Sequence, residues 1–162
     1  MAERADTLKG DSLKGEVKAV CISEEKGSKK HCVKIAVLKE DFGIINDAHA
    51  GSKRQVSLLA EESIEKMKAR GLNLNFGDFA ENIVTSGIDL MNLPVAAKIK
   101  IGRNALLEIT QIGKECLNKC AIYYSAGDCI MPKEGVFAKV LKGGIIKAGD
   151  KLEAIKDAKR TE

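Results

Sequence analysis

Tryptophan is absent, only 4% of the 162 residues are aromatic, and no apolar run approaches the length of a membrane span. The first two shortages remove the base-stacking platforms on which single-strand nucleic-acid binders rely. The third excludes a transmembrane helix, and the polar, charged stretch Met1–Lys14 lacks the apolar stretch of a signal peptide, so a cytoplasmic protein is expected. Nor is charge of one sign concentrated anywhere. The 27 basic and 23 acidic residues are dispersed, which gives neither a nucleic-acid arm nor a basic membrane-binding helix. Neither nucleic acid nor membrane is an expected partner.

Five cysteines, at positions 21, 32, 116, 120 and 129, form an odd set without the short paired spacings of a zinc ribbon or a thioredoxin-like motif. They suit reduced thiols better than a secreted disulfide framework. A chain of this length forms one domain, with a core from about 15 to 155 and polar tails at both ends, and it buries enough surface to need no disulfide staple.

Fifteen glycines and two prolines punctuate short runs of alternating apolar residues. Val17, Ala19 and Cys21 share one face of a strand. Val33, Ile35 and Val37 share a face of the next, and Ser23–Lys30 between them reads as a polar turn in solvent. Val56 and Leu58, then Val95, Ala97, Ile99 and Ile101, then Leu107 and Ile109, then Val136, Ala138 and Val140 continue the period of two. Ala60–Arg70 instead spaces Ile64 and Met67 as a surface helix stopped at Gly71, with Glu62 and Lys66 in a solvated i, i+4 pair. A second short helix is expected over residues 118–125. The sum predicts a mostly β fold, a closed or nearly closed β-barrel with one or two short helices, because closure removes the exposed edges of many short strands.

Three segments hold the informative polar residues. In Asp41–Gly51, Asp47 and His49 lie two apart in a glycine-bounded loop, where they can orient each other, bind an anion, contact a metal, or simply cap a turn. In Gly77–Ile83, Asp78 suits a turn cap, while Glu81 and Asn82 abut apolar Ile83 and Val84 and suit a deliberate polar network. The third runs from Glu108 through Cys116 and Cys120. There the flanking cations Lys114 and Lys119 would favour a thiolate, the form that acts as nucleophile or soft-metal ligand.

In order and separation these segments resemble a MOSC domain, the family named for the C-terminal domain of molybdenum cofactor sulfurases. The resemblance rests on Gly43–Gly51 followed by Arg54–Leu59, on Gly77–Ile83, on Thr110-Gln111 leading to Cys116, and on Gly135–Val140 with Gly143-Gly144 and Gly149-Asp150. It implies a barrel whose cysteine carries sulfur as a persulfide or meets the molybdenum of a pterin cofactor, molybdopterin. Cys116 matches that cysteine, as catalytic residue and metal ligand, with Cys120 as the fallback. Where some relatives have an Arg-Pro-like pair before the cysteine, this chain has Gly113-Lys114-Glu115, and where many read Gly-Asp it reads Asn46-Asp47. Asn is the residue after glycine that best tolerates a left-handed backbone, so the loop can keep its shape.

The cofactor-contacting set implied by this resemblance is Asp47, His49, Lys53, Arg54, Glu81, Asn82 and Lys114. Lys53 and Arg54, with N–H groups of the glycine-bounded loop, would meet the pterin's phosphate. Expected partners are a cysteine desulfurase, in which pyridoxal phosphate performs the hard chemistry, or a molybdoenzyme. Two alternatives stand beside this one: a molybdenum-dependent reductase of N-hydroxylated compounds, and a non-catalytic interaction module.

Overall fold

A computed structural model describes residues 13–113 and 130–155. Eleven strands are present among them: β1 (Lys14–Ile22), β2 (His31–Val33), β3 (Ala36–Lys39), β4 (Gly43–Ile44), β5 (Val56–Ala60), β6 (Ile83–Ser86), β7 (Lys98–Ile101), β8 (Ala105–Ile112), β9 (Val136–Lys142), β10 (Gly144–Ile146) and β11 (Lys151–Ile155). Two helices join them, α1 (Glu61–Ala69) after β5 and the short α2 (Met131–Glu134) before β9. The ladder runs β11–β7–β8–β9–β5–β6–β1, and β1 pairs back onto β11 to close a seven-stranded barrel. Among the described strands only β5 and β6 pair in parallel, and their connection carries α1, as a parallel crossover requires. β3, β4 and β10 form a separate small sheet.

The nine residues of β1 divide their outer edge between two partners. Lys14–Glu16 pair with β11, while Val20–Ile22 extend past it to pair with β2. A bulge between Val17 and Ala19 lets the strand serve two cores. Val17 and Val20 both join the barrel interior with Leu58, Ile83, Ile99, Leu107 and Val136. Ala19 and Cys21 face the outer cluster, where Ile64 and Met67 of α1 cover Leu59, Val84, Phe79 and Phe137. The sequence expectation that Val17, Ala19 and Cys21 share one face is corrected by this one-residue insertion.

α1 has the apolar spacing, the acidic first turn and the basic last turn that suit a helix dipole, and Gly71, at φ +96°, ends it as expected. Its Glu62 and Lys66, however, do not pair. Glu62 accepts the Gly87 N–H, and Lys66 reaches Glu134 of α2. The run Val33–Val37 is two strands rather than one: Ala36 and Leu38 are buried, while Ile35 and Val37 are exposed. Val95 is likewise exposed, and β7 begins only at Lys98, after Ala96 adopts φ +80°. The helix expected over 118–125 lies outside the described residues. No helix of the described residues is long and apolar enough to cross a membrane.

Candidate functional site

Where β1 overshoots the barrel, three loops meet. The Ser23–Lys30 turn does more than turn the chain in solvent, because it delivers a buried lysine. The side chains of Lys30 and Asp47 are wholly enclosed, with Nζ 2.8 Å from Oδ1. Lys30 Nζ also donates to Ser23 Oγ at 3.0 Å and lies 3.3 Å from His49 Nδ1. An ammonium has three N–H donors and no acceptor, so this set uses all three. His49 Nδ1 is therefore the acceptor, and the proton of its neutral ring is assigned to Nε2.

Asp47 fixes the loop from the other side. Its Oδ1 accepts the Ser23 amide at 3.1 Å, and its Oδ2 accepts the His49 amide at 3.0 Å. The Asp and His thus orient each other through the main chain and through Lys30, since the direct distance from His49 Nδ1 to Asp47 Oδ2 is 3.8 Å. Asn46 holds φ +75°, the left-handed conformation that the sequence allowed it. One expectation changes here. The amides of Asp47, Ala48, His49, Ala50, Gly51, Ser52 and Arg54 all donate within the protein. The loop consequently offers an anion its Lys53 and Arg54 side chains instead of a cradle of these N–H groups.

The second loop docks on the first through Lys30, whose amide donates to the Gly77 carbonyl at 2.8 Å. Asp78 caps its turn by accepting the Asn75 amide, and Glu81 accepts the amides of Gly77 at 2.7 Å and Phe79 at 3.0 Å. Burial lifts the Glu81 carboxyl to about 7, against the downward pull of those N–H bonds. Asn82 ties three strands together: its Oδ1 accepts from the Ser57 amide and hydroxyl, and its Nδ2 donates to the Cys21 carbonyl.

These contacts follow from strand alternation. Val56 and Leu58 point into the barrel, so Ser57 between them points outward, as do Cys21 and Phe137 on their strands. Ser57 stands opposite Phe137, and Phe137 opposite Gln111. Ser57 and Asn82 therefore form a buried polar link at the edge of the apolar cluster that covers the outer face of these strands. The Arg54 guanidinium lies 5.6 Å from the Phe137 ring centroid, a cation–π distance. Thr110 Oγ1 donates to the Phe137 carbonyl, and the Gly113 amide donates to Gly135, closing the base of the segment that carries Lys114, Cys116 and Cys120.

Of the residues singled out in sequence, Asp47, His49, Glu81 and Asn82 come together around the end of β1. Arg54 lies over the Phe137 ring, and Lys53, its neighbour in sequence, is exposed. Lys114, Cys116 and Cys120 lie outside the described residues. Among the described residues no three His, Cys, Asp or Glu side chains are grouped to hold a metal ion. Sequence reasoning missed Lys30, Ser23 and Ser57. Lys30 is the second of the two consecutive lysines Lys29-Lys30 in a polar turn, and strand β2 that follows it lies between Lys30 and Lys34, so no apolar neighbour marks it for burial.

Residues 46–153, well over half of the chain, match the MOSC domain family. The YuaD protein from Bacillus subtilis is similar in fold, with a TM-score of 0.74 at 16% identity over 88% of this chain and 96% of that one. YiiM from Geobacillus stearothermophilus superposes with a TM-score of 0.66 at 18% identity, covering 87% of this chain and 75% of that one. YiiM from Escherichia coli gives 0.62 at 18% identity, covering 88% and 70%. No curated protein matches the sequence. The family match and the closed barrel agree, and the chain belongs to the MOSC domain family.

Proposed function

We propose that this MOSC protein carries sulfur for molybdenum cofactor maturation on Cys116. The observation that supports the reading is the meeting of the Asp47–His49 loop and the Gly77–Asn82 turn on Lys30 at the end of β1. From Asn82 the contacts run through Ser57 of β5 to Phe137 of β9 and Gln111 of β8, the strand that leads in sequence to the cysteine segment. The Cys116 thiolate would attack the outer sulfur of a desulfurase persulfide. The donor's S–S bond breaks, its thiolate leaves, and Cys116 retains the persulfide.

The pterin cofactor is cargo in this reading. Its anionic end suits the side chains of Arg54 and Lys53, because the amides of residues 47–52 and of Arg54 are already committed. That same cation pair favours a second reading, in which the chain binds the cofactor itself. The test is mass spectrometry of the unreduced protein after incubation with a cysteine desulfurase and cysteine. A sulfur adduct on the Cys116 peptide, lost in Cys116→Ser with the fold intact, is the expected result. An adduct that persists in Cys116→Ser and disappears in Cys120→Ser would move the role to Cys120, and no adduct at either would overturn sulfur carriage.

A further inference from the structure

We propose that Cys21 and Cys32 form a reversible dithiol–disulfide site that acts on the Lys30–Asp47–His49 cluster. The two residues stand directly opposite each other on β1 and β2, and their sulfurs are 3.4 Å apart. Directly opposed residues on antiparallel strands have Cα atoms about 4.5–5.5 Å apart, inside the roughly 4.4–6.8 Å range that a disulfide spans. Both thiols are free in the structure. Cys32 is exposed and gives access, whereas Cys21 is buried behind it.

Position gives the pair its consequence. The three residues of β2 sit at the end of the strand order, beside β1 alone, so the strand is held on one edge. Bond formation draws the sulfurs from 3.4 Å to about 2.05 Å. The residue before β2 is Lys30, which carries the three side-chain contacts and the Gly77 hydrogen bond described above. There is no slack at that junction. A Cβ added to Gly77 would lie 2.2 Å from the Lys30 carbonyl oxygen and 3.5 Å from Cys21 Sγ. Cys32 Sγ itself lies 3.9 Å from the Phe76 carbonyl. Movement of β2 toward β1 is therefore transmitted to the loops that hold Asp47 and Glu81.

The oxidant class is a low-mass disulfide such as oxidised glutathione. The exposed Cys32 thiolate attacks one of its sulfurs, breaking that S–S bond and releasing one glutathione thiolate, which takes the proton Cys32 lost. The Cys21 sulfur then attacks Cys32 Sγ in the mixed disulfide. The second glutathione leaves and receives the Cys21 proton, so two electrons pass from the protein thiols to the glutathione pair. Burial and the neighbouring Cys32 push the Cys21 thiol up, which leaves the first attack to the exposed Cys32; the 3.4 Å separation of the sulfurs then places Cys21 to follow.

The test uses the full chain equilibrated in glutathione buffers of rising oxidised fraction, then alkylated and digested with trypsin without reduction. Cleavage after Lys18, Lys26, Lys30 and Lys34 places Cys21 and Cys32 on separate peptides, 19–26 and 31–34. The expected result is a linked pair of these peptides that disappears on returning to reduced glutathione. A mixed disulfide persisting on Cys32, or Cys32 linked instead to Cys116, Cys120 or Cys129, would overturn the site. The coupling is read separately by NMR in a His31→Gln background, which leaves His49 as the only histidine. Its ring resonances should shift on oxidation and stay fixed in Cys32→Ser. A linked pair with unmoved His49 resonances would overturn the coupling. None of these readouts depends on sulfur loading of Cys116.

Discussion

Lys30 Nζ meets Asp47 Oδ1 at 2.8 Å across 17 residues of sequence, and neither side chain touches solvent. A buried pair contributes little compared with well-packed apolar residues, yet breaking it by removing one partner leaves the other charge uncompensated. Lys30→Met is therefore expected to cost about 3–5 kcal/mol in urea unfolding. Adding Asp47→Leu should not restore the loss, because the Ser23 and His49 amides would then lack their acceptor, at about 1–3 kcal/mol each. A Lys30→Met loss below about 1 kcal/mol would show that the pair is not held as described.

Glu81 predicts the opposite pH dependence from that of an ordinary paired carboxylate. Its folded pKa of about 7 lies above the 4.5 of an ordinary glutamate carboxyl. Between these values the folded chain binds the proton and the unfolded chain does not, so stability falls as pH rises from about 4.5 to 7. The whole shift amounts to on the order of 3 kcal/mol. In Glu81→Gln that decline should flatten, although the variant starts lower because the amide NH2 cannot accept one of the two N–H groups. Urea midpoints of both proteins across this pH range decide it, and parallel curves would refute the assignment.

Asn82 makes a sharper comparison. Asn82→Asp keeps the shape and the acceptor for Ser57, but it replaces the donor to the Cys21 carbonyl with an oxygen at a fully buried position. The substitution should cost more than Asn82→Ser at neutral pH, and acidification should reduce the difference as the new carboxyl is neutralised. Thermal unfolding of the two variants at neutral and mildly acidic pH would show it. An Asp variant as stable as the Ser variant at neutral pH would mean that the donor to Cys21 carries no weight.

The barrel was legible because its strands alternate cleanly, as in Ile99 and Ile101 or Val136, Ala138 and Val140, and because Ile64, Met67 and Gly71 mark α1. Period alone could not show the bulge after Val17, since a single inserted residue changes faces without changing composition. It also misplaced Ile35, exposed in the link between β2 and β3, and Val37, on the exposed side of the small sheet that β3 forms with β4 and β10. At the site, Asp47, His49, Glu81 and Asn82 stood out as polar groups between apolar neighbours or glycines. Lys30 did not. A lysine in a polar turn looks solvated until the fold supplies partners remote in sequence, and the cross-strand meeting of Cys21 with Cys32 depends on a register that spacing alone does not determine.

Arg54 separates the two readings of function. Its guanidinium lies over the Phe137 ring, and the amides of residues 47–52 and of Arg54 are spent, so a phosphorylated pterin bound there would depend on this side chain and Lys53. A hydrogen bond to a charged group contributes about 1.5–3 kcal/mol. Arg54→Ala should therefore weaken cofactor binding by about tenfold to a hundredfold. Arg54→Lys should recover only part, because a lysine keeps the charge but not the planar fork or the stacking. Sulfur loading by a desulfurase should be unchanged in both variants, since it needs an accessible thiol and a docked donor and no phosphate anchor. Cofactor affinity by fluorescence titration and loading by mass spectrometry are measured on the same preparations. Unchanged affinity with impaired loading would make this surface the desulfurase docking site, leaving the protein a sulfur carrier without a cofactor anchor at Arg54.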